Sequence, residues 1–222
     1  MLRAREVLRA VFASVVVAAT LAACAPPAGT KRDVLSRPLR DDYVQLVTVT
    51  DRLVEVDSAG SVVRAEAPEG HCIPTDSIQT LGQSVFMLIE GCAGGRSDFP
   101  GVVSVSIANG PMRANLAALA SILRTEGGTT QLGYGGGTED VTLLDLTRQD
   151  GALYATVEDL SEFGPAFAGD QLCRAFMELN GRMVVATIIS RRDHPQEAEA
   201  LRADLVRVVR TLRRANDAAD VS

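Results

Sequence analysis

Two β-rich runs, residues 172–179 and 183–190, are separated by Asn180-Gly181 and little else. Both residues accept positive φ, so this pair favours a tight I′ turn and joins the runs as adjacent antiparallel strands. That adjacency constrains the fold more than any other local feature, because an antiparallel pair must bury at least one face against something else. A second hairpin of the same kind is expected from Val141–Leu146 and Leu153–Val157 through Asp150-Gly151. Upstream, Val44, Leu46, Val47 and Val49, then Leu53–Val56, a turn at Ser58–Ser61 and the run Val62-Val63 read as strands. So does Val102–Ile107, which Asn109-Gly110-Pro111 breaks.

Two segments have helical period instead. Leu116, Leu119, Ala120 and Leu123 recur at three and four residues, predicting a helix over 112–126 that Gly127-Gly128 ends. The stronger signal is Ala198, Leu201, Leu205, Val208, Val209 and Leu212, one apolar stripe on a helix over 195–214 with Asp193 or His194 as its cap and Pro195 in its first turn. Arg202, Arg207, Arg210 and Arg214 lie largely off that stripe, which reads as a solvated face, with contact to anionic lipid as the alternative. The order predicts an α+β domain: an antiparallel sheet of about six to eight strands with the C-terminal helix and one internal helix packed on it. The strand 102–107, the helix 112–126, the hairpin 172–190 and the helix 195–214 give an element order that is similar to the PsbP-like architecture of an extrinsic photosystem subunit and many bacterial lipoproteins. That resemblance implies a binding or assembly module and brings no catalytic residues.

The amino terminus is of another character. Arg3, Arg5 and Arg9 precede an apolar run from Ala10 to Ala19, and Leu21-Ala22-Ala23-Cys24 follows. A basic start, an apolar middle and a small-residue end are the order of a secretory signal. The run is shorter than the roughly 20 apolar residues a spanning helix needs. These residues resemble a bacterial lipoprotein signal peptide ending in a lipobox. The resemblance implies cleavage after residue 23, acylation of Cys24 with palmitate-type chains, and, because Ala25 and not aspartate follows, residence at the outer membrane facing the periplasm. Several chains at about 0.8 kcal/mol per buried methylene hold a protein to a bilayer far better than one. Residues 24–42, with Pro26, Pro27, Gly29 and Pro38, read as the lipidated terminus and a flexible tether. Its extended reach is about 60 Å at roughly 3.3 Å per residue. Residues 43–216 are then a single α+β domain and 217–222 a disordered tail.

Loss of residues 1–23 takes Lys plus Arg from 22 to 19 and Asp plus Glu from 28 to 27, moving the formal charge from −6 to −8. An acidic chain with 4% aromatic residues and no Trp lacks both the basic surface and the stacking platforms of a nucleic-acid binder. Gly133-Tyr134-Gly135-Gly136-Gly137-Thr138 continues into Glu139-Asp140, without the Lys of a phosphate loop, so no nucleotide site is expected and the segment reads as a flexible surface loop. No C-x-x-C, H-x-x-H or G-x-S-x-G pattern occurs, so no catalytic, cofactor or metal residues are assigned. His71 and His194 read as structural or exposed, and Glu139-Asp140 and Glu158-Asp159 as solvated loop charges.

Export would place Cys72, Cys92 and Cys173 in an oxidising compartment. Cys72 and Cys92 flank a strand, a turn around Pro74–Ser77 and the returning run Val85–Ile89, so they are the expected disulfide. Cys173 shares an apolar face with Ala175, Met177 and Leu179 and reads as a buried thiol, with Arg174 on the opposite face. The functional expectation is a non-enzymatic, membrane-anchored binding or envelope-assembly module that meets the bilayer through acylated Cys24 and an envelope protein partner. A hydrolase or thiol-dependent enzyme and a small-ligand carrier stand as alternatives.

Overall fold

Period-two alternation decides the architecture. The computed structural model describes residues 44–58, 60–92, 101–110, 115–135 and 137–217. Strands β1 (Val44–Val49), β2 (Leu53–Ser58) and β3 (Ser61–Glu66) form a three-stranded antiparallel sheet. The other strands are β4 (His71–Cys72), β5 (Gln79–Leu81), β6 (Ser84–Gly91), β7 (Val102–Ala108), β8 (Val141–Gln149), β9 (Ala152–Asp159), β10 (Ala168–Leu179) and β11 (Arg182–Arg191). They make an eight-stranded antiparallel sheet in the order β4-β6-β7-β11-β10-β9-β8, with β5 beside β6. Helices α1 (Leu116–Leu123), α2 (Glu126–Thr130) and α3 (Ala198–Asp217) complete the chain. The α+β class and the antiparallel sheet are as expected; the separate small sheet was not foreseen.

Both faces of the large sheet are buried. On one, Val85, Met87, Val103, Val105, Val184, Ala186, Cys173 and Ala175 meet Leu201, Leu205, Val208, Val209 and Leu212 of α3 and the inner residues Val54, Val56, Val63 and Ala65 of the small sheet. On the other, Leu153, Ala155, Val157, Leu172 and Phe176 are covered by Ala120 and Leu123 of α1 and by Leu132 and Tyr134 of the following loop. Each fully buried aliphatic side chain contributes roughly 1.5–3 kcal/mol. The small sheet exists because its alternating strands have an apolar side to hide, and α3 with the large sheet provides the cover.

The turns follow their chemistry. Asp150 and Asn180 have φ of 51° and 48°, and Gly151 and Gly181 have φ of 70° and 74°, the left-handed pairs a two-residue hairpin requires. The expected helix 112–126 is instead two. Asn115 caps α1, its Oδ1 accepting from Ala118 N at 2.9 Å, and Thr125 caps α2, its Oγ1 accepting from Gly128 N at 3.1 Å. Residues 111–114 lie outside the described residues. Gly128 lies inside α2, and only glycine fits there, because a Cβ would sit 2.0 Å from the Ile122 carbonyl oxygen. Helix α3 starts later than expected, and neither Asp193 nor His194 is its cap. Asp193 pairs with Arg191 at 2.6 Å, and His194 N donates to Arg191 O at 3.2 Å.

One network ties the turn end of the molecule together. Asn216 near the end of α3 accepts from Arg64 N at 2.9 Å and donates to Arg64 O at 2.8 Å. Asn180 Nδ2 donates to Val62 O at 2.6 Å and to Asn216 Oδ1 at 3.2 Å. Arg182 donates to Asn109 O at 2.6 Å and to Ser58 O, and Ser58 faces Val44 across β1 and β2. The start of β1, the end of α3 and the 180–181 turn thus share one end.

Candidate binding loop and the cysteines

At the opposite end, β9 finishes in Asp159, a carboxylate only 2% exposed. It is kept inside by what it accepts: the N–H of Tyr134 on Oδ2 and the N–H of Ser161 on Oδ1 at 2.9 Å. Beside it on β10, the buried Arg174 donates through Nε to Leu132 O at 2.9 Å and through Nη2 to Gly133 O at 3.4 Å. Burial lowers the Arg174 pKa, and the charges of Tyr134 and Asp159 oppose that shift. Burial also raises the Tyr134 phenol well above its ordinary range. Gly133 is obligatory, since a Cβ would stand 2.6 Å from both Asp159 Oδ2 and a Val141 methyl.

Two expectations change here. The glycine-rich segment is not a flexible surface loop throughout: Leu132, Gly133 and Tyr134 are buried, and exposure begins at Gly135. Asp159 is not a solvated charge, because two backbone donors replace its water. The sequence signal for both was an arginine inside the apolar strand 172–179 and a glycine next to Tyr134.

This buried unit carries an exposed one. Leu160 N donates to Asp140 O at 2.9 Å, Ala168 N to Pro165 O at 2.7 Å, and Arg192 N to Phe167 O at 2.9 Å. Gly164 lies against the Tyr134 ring, where a Cβ would be 3.0 Å from Cδ2. On that fixed backbone Leu160 and Phe163 are 62% and 65% exposed. Phe163 is the one aromatic among the strongly exposed large apolar side chains of the described residues. Exposed Glu139 and Glu162 accompany it. Two large apolar side chains are thus exposed within four residues of one another on a loop whose flanks are hydrogen-bonded. The reading of the sequence had not singled out Leu160 or Phe163.

Cys72 and Cys92 are joined as a disulfide with their Cα atoms 4.9 Å apart, across the pairing of β4 with the end of β6. Cys173 is fully buried, and Thr156 Oγ1 donates to its Sγ at 3.5 Å. Burial pushes the Cys173 thiol up to about 11, the opposite of what a nucleophile needs. Buried His71 has Nδ1 3.0 Å from Glu69 O, and His194 is exposed. Among the described residues no cluster of His, Cys, Asp and Glu is arranged to hold a metal, and no helix is long and apolar enough to cross a membrane. Cys24 lies outside the described residues. Comparison of the chain with protein-family models, with curated proteins and with solved structures returns no match.

Proposed function

We propose that the chain is a non-enzymatic lipoprotein of the cell envelope, anchored through acylated Cys24 at the outer membrane facing the periplasm. It serves there as a binding or assembly module whose partner docks on Leu160 and Phe163. The observation that carries this reading is the exposure of those two side chains on a loop fixed from beneath by Asp159, Arg174 and Tyr134. The polarity of the molecule supports it. The chain enters the domain at Val44, at the turn end, whereas the loop follows the far end of β9, a strand of 8 residues that spans about 25 Å. A tether at one end leaves the other free to meet a partner. The exposed carboxylate of Glu162 beside Phe163 favours a partner surface with an apolar socket and a basic rim. The buried, protonated Cys173 argues against thiol catalysis.

The test is cross-linking in intact envelopes followed by purification of the full chain. Replacing Leu160 and Phe163 with Ser should remove the cross-linked partner while leaving the thermal midpoint of the purified protein unchanged. An unaltered set of cross-linked proteins would refute the docking surface. Cys24→Ser should separately release the protein from the membrane fraction; a variant that still pellets after a carbonate wash would refute the anchor.

A further inference from the structure

At the turn end, the last turns of α3 and the β8–β9 turn enclose a shallow, open concavity of about 710 Å³ lined by Asp150, Arg210, Arg213, Arg214 and Asp217. Two of its three positive groups are tied to the β8–β9 turn. Arg210 Nε donates to Asp150 Oδ2 at 2.8 Å, which occupies one of five guanidinium donors. Arg213 Nη1 approaches Gly151 O at 3.4 Å, across the same turn. Arg214 is exposed, and its side chain makes no hydrogen bond or ion pair with any described residue. With Asp150 engaged by Arg210, two further guanidiniums stand against the single carboxylate of Asp217. Among the described residues the lining therefore carries three guanidiniums against two carboxylates, on a chain of net charge −6.

We infer that this concavity binds the phosphate groups of anionic phospholipids and seats the anchored domain on the bilayer with the end of α3 downward. The inference rests on the reading of Cys24 as the anchor. Its independent support is placement. Asn216 joins the last turn of α3 to β3, and the β2–β3 hairpin leads through Ser58 to Val44, where the tether enters. An acyl anchor on a tether of about 60 Å extended reach lets this end touch the lipid and raises the effective concentration of headgroups into the millimolar range, so a weak site suffices. Guanidinium suits the partner because its fork matches phosphate oxygens. Each arginine near an anionic surface strengthens the contact by about fivefold, an effect confined to roughly a Debye length, so the negative charge elsewhere on the domain does not cancel it.

The experiment uses the full, acylated protein floated on vesicles of phosphatidylcholine alone or with phosphatidylglycerol. Arginine-specific modification by phenylglyoxal is then mapped by mass spectrometry. Arg210, Arg213 and Arg214 should react several-fold more slowly on the anionic vesicles, and the protection should vanish in high salt. Exposed Arg192, at the opposite end of the molecule where its N–H donates to Phe167 O, should react equally on both. Replacing Arg213 and Arg214 with Glu should abolish the protection of Arg210 without altering flotation. Flotation with equal modification on the two lipids would overturn the inference alone. Protection by inorganic phosphate with no further protection by anionic lipid would also overturn it, marking a free-anion site. Failure to float on either lipid would overturn the anchor and the inference together.

Discussion

Replacing Asp159 with Ala should cost the domain about 4 kcal/mol. The carboxylate is buried and accepts two backbone donors, Tyr134 N and Ser161 N. Alanine leaves both N–H groups inside without acceptors, at about 1–3 kcal/mol each, and removes the anion that faces the buried Arg174. Some of the loss is recovered if water enters beside Ser161, which is why the middle of the range applies. Asp159→Asn keeps one carbonyl acceptor but turns an amide toward the second donor, so about half that loss is expected. For a domain of this size the alanine variant should melt about 8–16 °C lower. Equilibrium urea denaturation of the full chain, read by circular dichroism, gives the value from the midpoint at constant slope. Asp193→Asn, which removes only an exposed ion pair with Arg191, is the control and should leave the urea midpoint nearly unchanged. A loss below 1 kcal/mol for Asp159→Ala would refute the claim that this carboxylate holds the 132–134 and 160–164 segments together.

Reduction of the Cys72–Cys92 disulfide, or its replacement by two serines, should cost about 3 kcal/mol, because it closes a loop of sequence separation 20 in the unfolded chain; denaturation with and without a phosphine reductant measures it. Cys173 should resist iodoacetamide at pH 8 in the native protein and react fully in urea. Its pKa rises from 9.0 to about 11 on folding, so its contribution is intact below pH 9 and is lost as pH rises toward 11. The raised phenols of Tyr134 and Tyr154 act in the same direction from their ordinary value of 10.0 upward, so the urea midpoint should begin to fall above pH 9 and fall more steeply above pH 10. Gly133→Ala should destabilise by several kcal/mol, since no rotation moves a Cβ away from the carboxylate and methyl it meets at 2.6 Å; a midpoint within error of the native chain would contradict that crowding.

Where local chemistry dictates structure, the fold was legible in the chain. Asn180-Gly181 and Asp150-Gly151 sit at the two turns their φ preferences suggest, and the α3 stripe is buried as its period implies. The antiparallel sheet and the apolar face of Cys173 followed from alternation. The separate small sheet was not legible, because alternation shows which side of a strand is apolar but not which sheet it joins. The loop was not legible for a related reason. Asp159 and Arg174 are 15 positions apart, and their burial depends on the pairing of β9 with β10 and on backbone groups of residues 132–134. Charges read as solvated in one dimension became internal once the fold supplied donors and acceptors. Leu160 and Phe163 passed as ordinary apolar residues because only a fixed backbone beneath them shows that they point outward.

The central claim, an acyl anchor at one end and a docking loop at the other, is tested most directly by the intact mass of protein extracted from its own membranes. The account predicts a chain that begins at Cys24 and carries the added mass of fatty-acyl groups. An unmodified polypeptide from Met1 to Ser222, recovered free of membranes, would contradict it.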